Sequence, residues 1–203
     1  MSFFERNRDD PAHAGIDPER VPPGQYLTDR FPVLHAGVVP EVDLATWAFT
    51  VDGRVAEERR WTWDEFRALP SQATTADIHC VTKWSKLDTR WEGTPVTDLW
   101  SMLRPLPEAS HVLVNAYHGF TANLSIEDFV RPGNLFAHSF DGRPLAPDHG
   151  YPLRLVVPHL YFWKSVKWVR GFTVLDSDRP GFWERNGYHM HGDPWAEQRF
   201  WGD

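Results

Sequence analysis

The chain has 203 residues, with 28 acidic and 21 basic side chains and a formal net charge of -7. At 41% hydrophobic and 14% aromatic it can bury a real core, which excludes a disordered chain and fits one domain over residues 1–203. The acidic balance, without a long Lys/Arg run, speaks against nucleic acid or an anionic membrane as the main partner, and no run approaches the ~18 apolar residues of a membrane span. A lone cysteine, Cys80, excludes an intrachain disulfide and any multi-cysteine zinc or iron–sulfur site. With no bridge to read and no apolar leader at the N-terminus, the expected location is the cytoplasm.

Residues 1–30, rich in Asp, Arg, Pro and Gly, read as an extended arm. From Thr46 the residues TWAFTV alternate as a strand does, Asp52-Gly53 is a hairpin signal, and RRWTW resumes beyond it. Thr62 to Glu65 fits a capping box that opens a short helix closed by Pro70. ATTADIHCV reads as a strand that delivers Cys80 at its end. In TPVTDLWSMLRP, Thr94 is the expected cap and Pro95 the first helical residue. HVLVNAY and FTANLS flank His118-Gly119, SIEDFV reads as a capped turn, and LFAHSF meets Asp141-Gly142. LRLVVP, SVKWVR and FTVLD follow as strands. The expected fold class is α+β, a β-dominated mixed domain with short helices.

Two segments carry candidate chemistry. Cys80 sits at a strand end beside Thr82, Lys83 and Ser85, where a scaffold presents functional groups. A thiolate there is both a nucleophile and a soft-metal ligand, and the residues alone leave the two open. Residues 149–175 hold four Lys/Arg and no carboxylate, inside an acidic chain. Lys164, Ser165 and Lys167 cluster there as a phosphate-binding loop would place them, although an edge strand guarded by lysines gives the same pattern. His79 precedes Cys80, so on a strand it points to the opposite face. His189 and His191 lack a third partner at metal-ligand spacing, and the 11 tryptophans are core by default.

Taken together, FPVLHAGVVP, DIHCVTKWSKLDTRWEGTPVTDLW, HGYPLRLVVPHLYFWKSVKWVRGF and DRPGFWERNGYHMHGDPWAEQRF resemble, in order and spacing, the sulfite oxidase family of molybdenum–pterin enzymes. The likeness is greatest to its small bacterial, cytoplasmic, haem-free branch and runs from about residue 29 to the end. The resemblance implies the molybdopterin-binding fold, a molybdenum–molybdopterin cofactor, and oxygen-atom transfer to or from a small substrate such as a sulfoxide, an N-oxide or a sulfur oxyanion. It implies that Cys80 ligates molybdenum. It gives His35, His149 and Arg154 pterin contacts, and Lys164, Ser165 and Lys167 the pterin phosphate. Asn115 to His118 lie near a further contact.

Departures from the family pattern bear on the substrate. Where sulfite oxidases place a tyrosine near the metal, Ala137 to Gly142 put His138, and the basic stretch after the cysteine is replaced by Val81-Thr82-Lys83-Trp84-Ser85. His138, Thr82 and Lys83, with Cys80, are therefore the expected catalytic set. Sulfite is the less favoured substrate, and electrons are expected to pass to a separate partner protein. A cysteine hydrolase or transferase using Cys80, and a non-catalytic Trp-rich carbohydrate-binding module, are the alternatives. Neither accounts for the basic segment at 149–175.

Overall fold

Alternation of apolar and polar residues converts much of this chain into strands, which the computed structural model arranges as two sheets; it describes residues 15–203. In chain order these are β1 (Tyr26–Leu27), β2 (Ala48–Gly53), β3 (Arg59–Thr62), β4 (Gln72–His79), β5 (Trp84–Pro95) and β6 (His111–Ala116). Then come β7 (Thr121–Ser125), β8 (Leu135–Phe140), β9 (Arg143–Pro144), β10 (Arg154–Val156) and β11 (Val169–Leu175). Among the described residues four short α-helices punctuate them: α1 (Trp63–Arg67), α2 (Val96–Ser101), α3 (Ile126–Phe129) and α4 (Phe182–Arg185). The expected β-dominated α+β class is what forms.

One sheet runs β1-β5-β8-β10, with β4 added on β5 and β9 on β8; the other runs β3-β2-β11-β6-β7. The larger core cluster includes Phe49, Phe66, Val112, Phe136 and Phe172. A smaller one gathers Ile78, Cys80, Trp84, Trp91, Leu135, Ala137 and Val156. Strand periodicity divides the two. On β8, Leu135 and Ala137 join the smaller cluster while Phe136 joins the larger. On β10, Val156 joins the smaller and Leu155 the larger, so Arg154 shares the face of Val156.

Local chemistry sets most element ends. At α1 the Thr62 hydroxyl accepts from Glu65 N–H while the Glu65 carboxylate accepts from Thr62 N–H, a closed capping box of the kind that contributes about 1 kcal/mol. Ser125 caps α3 through Asp128 N–H. The His118-Gly119 and Asp141-Gly142 pairs turn with positive φ at all four residues, as tight connections require. Two expectations shift. Helix α2 starts at Val96 with Pro95, the last residue of β5, as its cap residue and no side-chain cap, so Thr94 lies within the strand instead of capping the helix. Asp52-Gly53 is not the hairpin turn; it continues β2, and the connection to β3 is 54–58. At Gly53, φ is 88° and a Cβ would lie 2.2 Å from the Val174 carbonyl oxygen, so the glycine permits close approach to β11.

The expected N-terminal arm is partly structured from Asp17 onward. Pro18–Arg20 form a 3₁₀ turn, and the Arg20 guanidinium pairs with Asp77 and Asp88 at 2.7 Å each. β1 then pairs in parallel with β5, Tyr26 opposite Trp84. Residues 1–14 of the expected arm lie outside the described residues.

Candidate functional site

The turn from β4 to β5 builds the first wall of a cavity of about 260 Å³. Cys80 N–H donates to Trp84 O and Lys83 N–H donates to Cys80 O, which brings the residue after β4 to the cavity with its side chain largely buried. Burial pushes the thiol pKa up, while the Thr82 hydroxyl, at 3.1 Å from Sγ, favours the thiolate. His79 faces away, as its neighbouring position on the strand demands; its Nδ1 meets the Ser85 hydroxyl at 2.8 Å. No imidazole is hydrogen-bonded to the thiol among the described residues, so a cysteine–histidine nucleophile pair is not assembled.

The opposite wall comes from residues within 31–36, the start of β10 and the loop 162–168. Arg154 is 2% exposed; its guanidinium donates to His149 O and Ser165 O at 2.9 Å each and lies over the Phe162 ring at 4.4 Å. Burial lowers its pKa to about 9, and its Nε is buried without a partner. His149 stacks on Phe31 at 4.0 Å. Lys167 Nζ donates to Leu34 O at 2.9 Å and Asp148 O at 2.8 Å, and burial, then Arg154, lowers its pKa to about 7. His35 completes this side, edge-on to Trp168. The Ser165 hydroxyl accepts from Val157 N–H and fixes the loop to the strand end.

The cavity therefore gathers Cys80, Thr82, His35, His149, Arg154, Ser165 and Lys167. Three expected site residues stand elsewhere. His138 alternates with Ala137 on β8 and so points away from Cys80; its Nε2 meets the Ser71 hydroxyl at 3.3 Å. Burial, then Arg67, lowers its pKa to about 4, so it is neutral near pH 7 and does not protonate a substrate in this cavity. Lys83 sits on the outer side of the turn with φ 77°, exposed and not among the cavity-lining residues. Lys164 is fully buried, with Nζ at 2.7 Å from Glu184 Oε1 and donating to Asn123 and Met190. Its charge is spent on that pair rather than on a cofactor phosphate. Asn115 to His118 likewise do not line the cavity, although Phe120 does.

Sequence reasoning passed over a second set. Tyr188, Trp183 and Trp163 form an aromatic wall, with Tyr188 at 4.9 Å from Trp183 and 5.1 Å from Trp163. Burial, then the neighbouring Cys80, pushes the Tyr188 hydroxyl pKa up, keeping a protonated donor beside the sulfur. Arg199 donates to Val81 O at 2.8 Å, stacks over Tyr161 and pairs with Glu197. Tyr188 and Arg199 lie in irregular chain with no periodicity to announce them; their only signal was the motif RNGYHMHGDPWAEQRF itself.

The donor set suits a phosphate-bearing, sulfur-liganded cofactor. Among the described residues no carboxylate lines the cavity, two cations and two histidines do, and the buried Arg154 Nε lacks an acceptor. Cys80 supplies a soft ligand, and flat rings supply walls for a pterin.

Comparison with known proteins agrees with that donor set. The family model described as oxidoreductase molybdopterin binding domain matches residues 35–183. The uncharacterized oxidoreductase YuiH of Bacillus subtilis (strain 168) is 47% identical over 185 residues, 91% of this chain and 93% of that protein. A putative protein-methionine-sulfoxide reductase subunit, YedZ1 of Azospira oryzae, is 29% identical over 154 residues, 76% of this chain and 58% of its own length. The mitochondrial sulfite oxidase of Drosophila melanogaster is 24% identical over 190 residues, 80% of this chain and 32% of that one. The sulfane dehydrogenase SoxCD from Paracoccus pantotrophus shares the fold, with a TM-score of 0.62 at 21% identity over 68% of this chain and 40% of that one. With its cavity, its lone cysteine and a family match across most of its length, the chain belongs to the sulfite oxidase family of molybdopterin-binding oxidoreductases.

Proposed function

We propose that this enzyme moves an oxygen atom to or from a small neutral substrate, with sulfoxides and N-oxides favoured over sulfite. The observation that carries the choice is the surroundings of Cys80: a hydroxyl, a phenol and tryptophan rings, with the guanidinium that acts on its thiol, Arg199, bonded to Val81 O and paired with Glu197. Sulfite, close to a dianion near neutral pH, needs more uncommitted positive charge than that. A neutral S–O or N–O group needs only hydrogen-bond donors.

The bound molybdenum–pterin would supply two-electron redox chemistry and a site for the transferred oxygen. The chain's residues do the rest. Cys80 is the proposed metal ligand. Arg154, Lys167, His149 and His35 hold the pterin and its phosphate, with Ser165 shaping the loop. Trp163 and Trp183 exclude water, and Tyr188 donates a hydrogen bond to the substrate oxygen. Reduction of a substrate X–O to X and water takes two electrons and two protons, so a separate redox protein exchanges electrons with the site. The single cysteine supports a reducing, cytoplasmic setting, and no helix of the described residues is long and apolar enough to cross a membrane.

Steady-state turnover with artificial donors and acceptors tests the substrate class: sulfoxides and N-oxides should exceed sulfite in kcat/KM by at least about 10-fold, ~1.4 kcal/mol of barrier. Efficient sulfite oxidation would reverse the assignment.

Lys167→Ala tests the cofactor side. Charge-assisted bonds to phosphate contribute roughly 1.5–3 kcal/mol, so the variant should hold pterin about 10- to 150-fold more weakly while keeping turnover per bound molybdenum. Because Lys167 in the free protein titrates near 7, and phosphate favours its charged form, retention in the parent should also fall from about pH 6 to about pH 9. Pterin fluorescence after dialysis measures both. Unchanged pterin content with collapsed turnover per metal would move Lys167 into the catalytic set.

A further inference from the structure

We propose that Thr82 tunes the metal-binding sulfur, its hydroxyl proton being committed to Cys80 Sγ rather than to the transferred oxygen. The inference rests on the reading of Cys80 as the metal's protein ligand and adds to it. Thr82 Oγ1 donates to Sγ at 3.1 Å, well inside the range for a sulfur acceptor. A hydroxyl has one proton to give, so a hydroxyl bonded to the sulfur is not simultaneously a donor to substrate.

The contact is built into the backbone. The turn carrying both residues closes through Lys83 N–H to Cys80 O and Cys80 N–H to Trp84 O, with Lys83 in the left-handed region. It is also clamped from both ends of the described chain. The Gln25 amide donates to Cys80 O at 3.2 Å, and Arg199 donates to Val81 O at 2.8 Å. Gln25 in turn accepts from Ser85, whose hydroxyl meets His79. Thr82 is solvent-exposed as a residue, yet its hydroxyl faces a sulfur whose backbone is held by three hydrogen bonds. The amides of Val81 and Thr82 favour the thiolate too.

Hydrogen bonds to a ligating thiolate withdraw electron density from it, weaken its donation to the metal and raise the reduction potential. The same loss of donation moves the sulfur-to-metal charge-transfer absorption to higher energy. Thr82 is on this account a positioning and tuning residue that acts through Cys80.

The test compares the loaded parent with Thr82→Val and Thr82→Ser, after molybdenum and pterin content have been measured for each. Midpoint potential by spectroscopically monitored titration, and the charge-transfer band, are the readouts. Thr82→Val should shift the potential to more negative values and the band to lower energy, and Thr82→Ser should restore both. Parent-like potential and band in Thr82→Val, or a Thr82→Ser variant that behaves as the valine does, overturns the inference. So does a Thr82→Val variant that loses turnover at unchanged potential, because the hydroxyl then acts on substrate. A parent without molybdenum would overturn the Cys80 reading itself and this inference with it, whereas a molybdenum-loaded parent isolates the tuning step.

Discussion

Cys80→Ser is expected to lose at least about 100-fold of molybdenum-dependent turnover, some 2.7 kcal/mol or more of barrier, while retaining most of its pterin. The two halves of that expectation come from different parts of the cavity. With Cys80 as the proposed metal ligand, turnover depends on a sulfur that ionises and binds a soft metal; a serine hydroxyl keeps its proton near neutral pH and is a hard donor. Burial already pushes the Cys80 thiol up, so loading the free protein must expel a proton from the sulfur as the metal binds. Serine offers no comparable exchange. On the proposed assignment pterin retention depends instead on Arg154, Lys167 and His149, cavity-lining residues that the substitution leaves in place. Cys80 packs in the smaller core cluster, but the change in volume is small and its backbone bonds to Trp84, Lys83 and Gln25 remain, so the variant should fold. Elemental analysis, pterin fluorescence and turnover with artificial electron donors read the three quantities separately. Full turnover in the serine variant would remove Cys80 from the metal, and loss of pterin along with activity would mean that the thiolate anchors the whole cofactor.

Where local chemistry decides, the sequence was a good guide. The Thr62 capping box, the His118-Gly119 hairpin and the Asp141-Gly142 turn depend on a few adjacent residues and formed as their types require. Strand alternation also predicted that His79 and Cys80 would diverge. The same rule on β8 turns His138 away from the cavity, because Ala137 shares a core cluster with Cys80; there family position and periodicity conflict, and periodicity holds. Asp52-Gly53 misled because glycine serves two purposes, tight turns and close backbone approach, and only the neighbour β11 reveals which one holds. Tyr188 and Arg199 were illegible for a different reason. They reach Cys80 from a C-terminal segment held by long-range contacts such as Arg199 to Val81 O, and no spacing rule connects positions that far apart.

Lys164 and Lys167 show the same limit within one loop, and they yield the sharpest stability prediction. Both are lysines beside Ser165 in a basic window, and the sequence assigns them one role. The 3₁₀ turn Phe162–Lys164 separates them: Lys164 runs inward to Glu184, and Lys167 lies on the cavity. The inward ammonium meets Glu184 Oε1 at 2.7 Å, Asn123 Oδ1 at 2.7 Å, Asn123 O at 2.9 Å and Met190 O at 2.6 Å. Burial lowers its pKa, and the Glu184 carboxylate opposes that shift. Lys164→Met is expected to destabilise the protein by about 3–5 kcal/mol, because the loss of one partner leaves a buried carboxylate whose remaining donor is the Trp163 indole. With m of about 2–3 kcal/mol/M in urea, the midpoint should fall by roughly 1–2.5 M. Adding Glu184→Gln should recover part of the loss, since an amide costs far less to bury than an unpaired charge. The damage should also reach the site, because Glu184 holds Trp163 and Lys164 holds Met190, two residues from Tyr188. Urea unfolding of the parent, Lys164→Met and the double variant, each without cofactor, separates this from any phosphate role. An unchanged midpoint in cofactor-free Lys164→Met, together with depleted pterin when it is expressed with cofactor, would return Lys164 to the phosphate site and break the distinction between the two lysines.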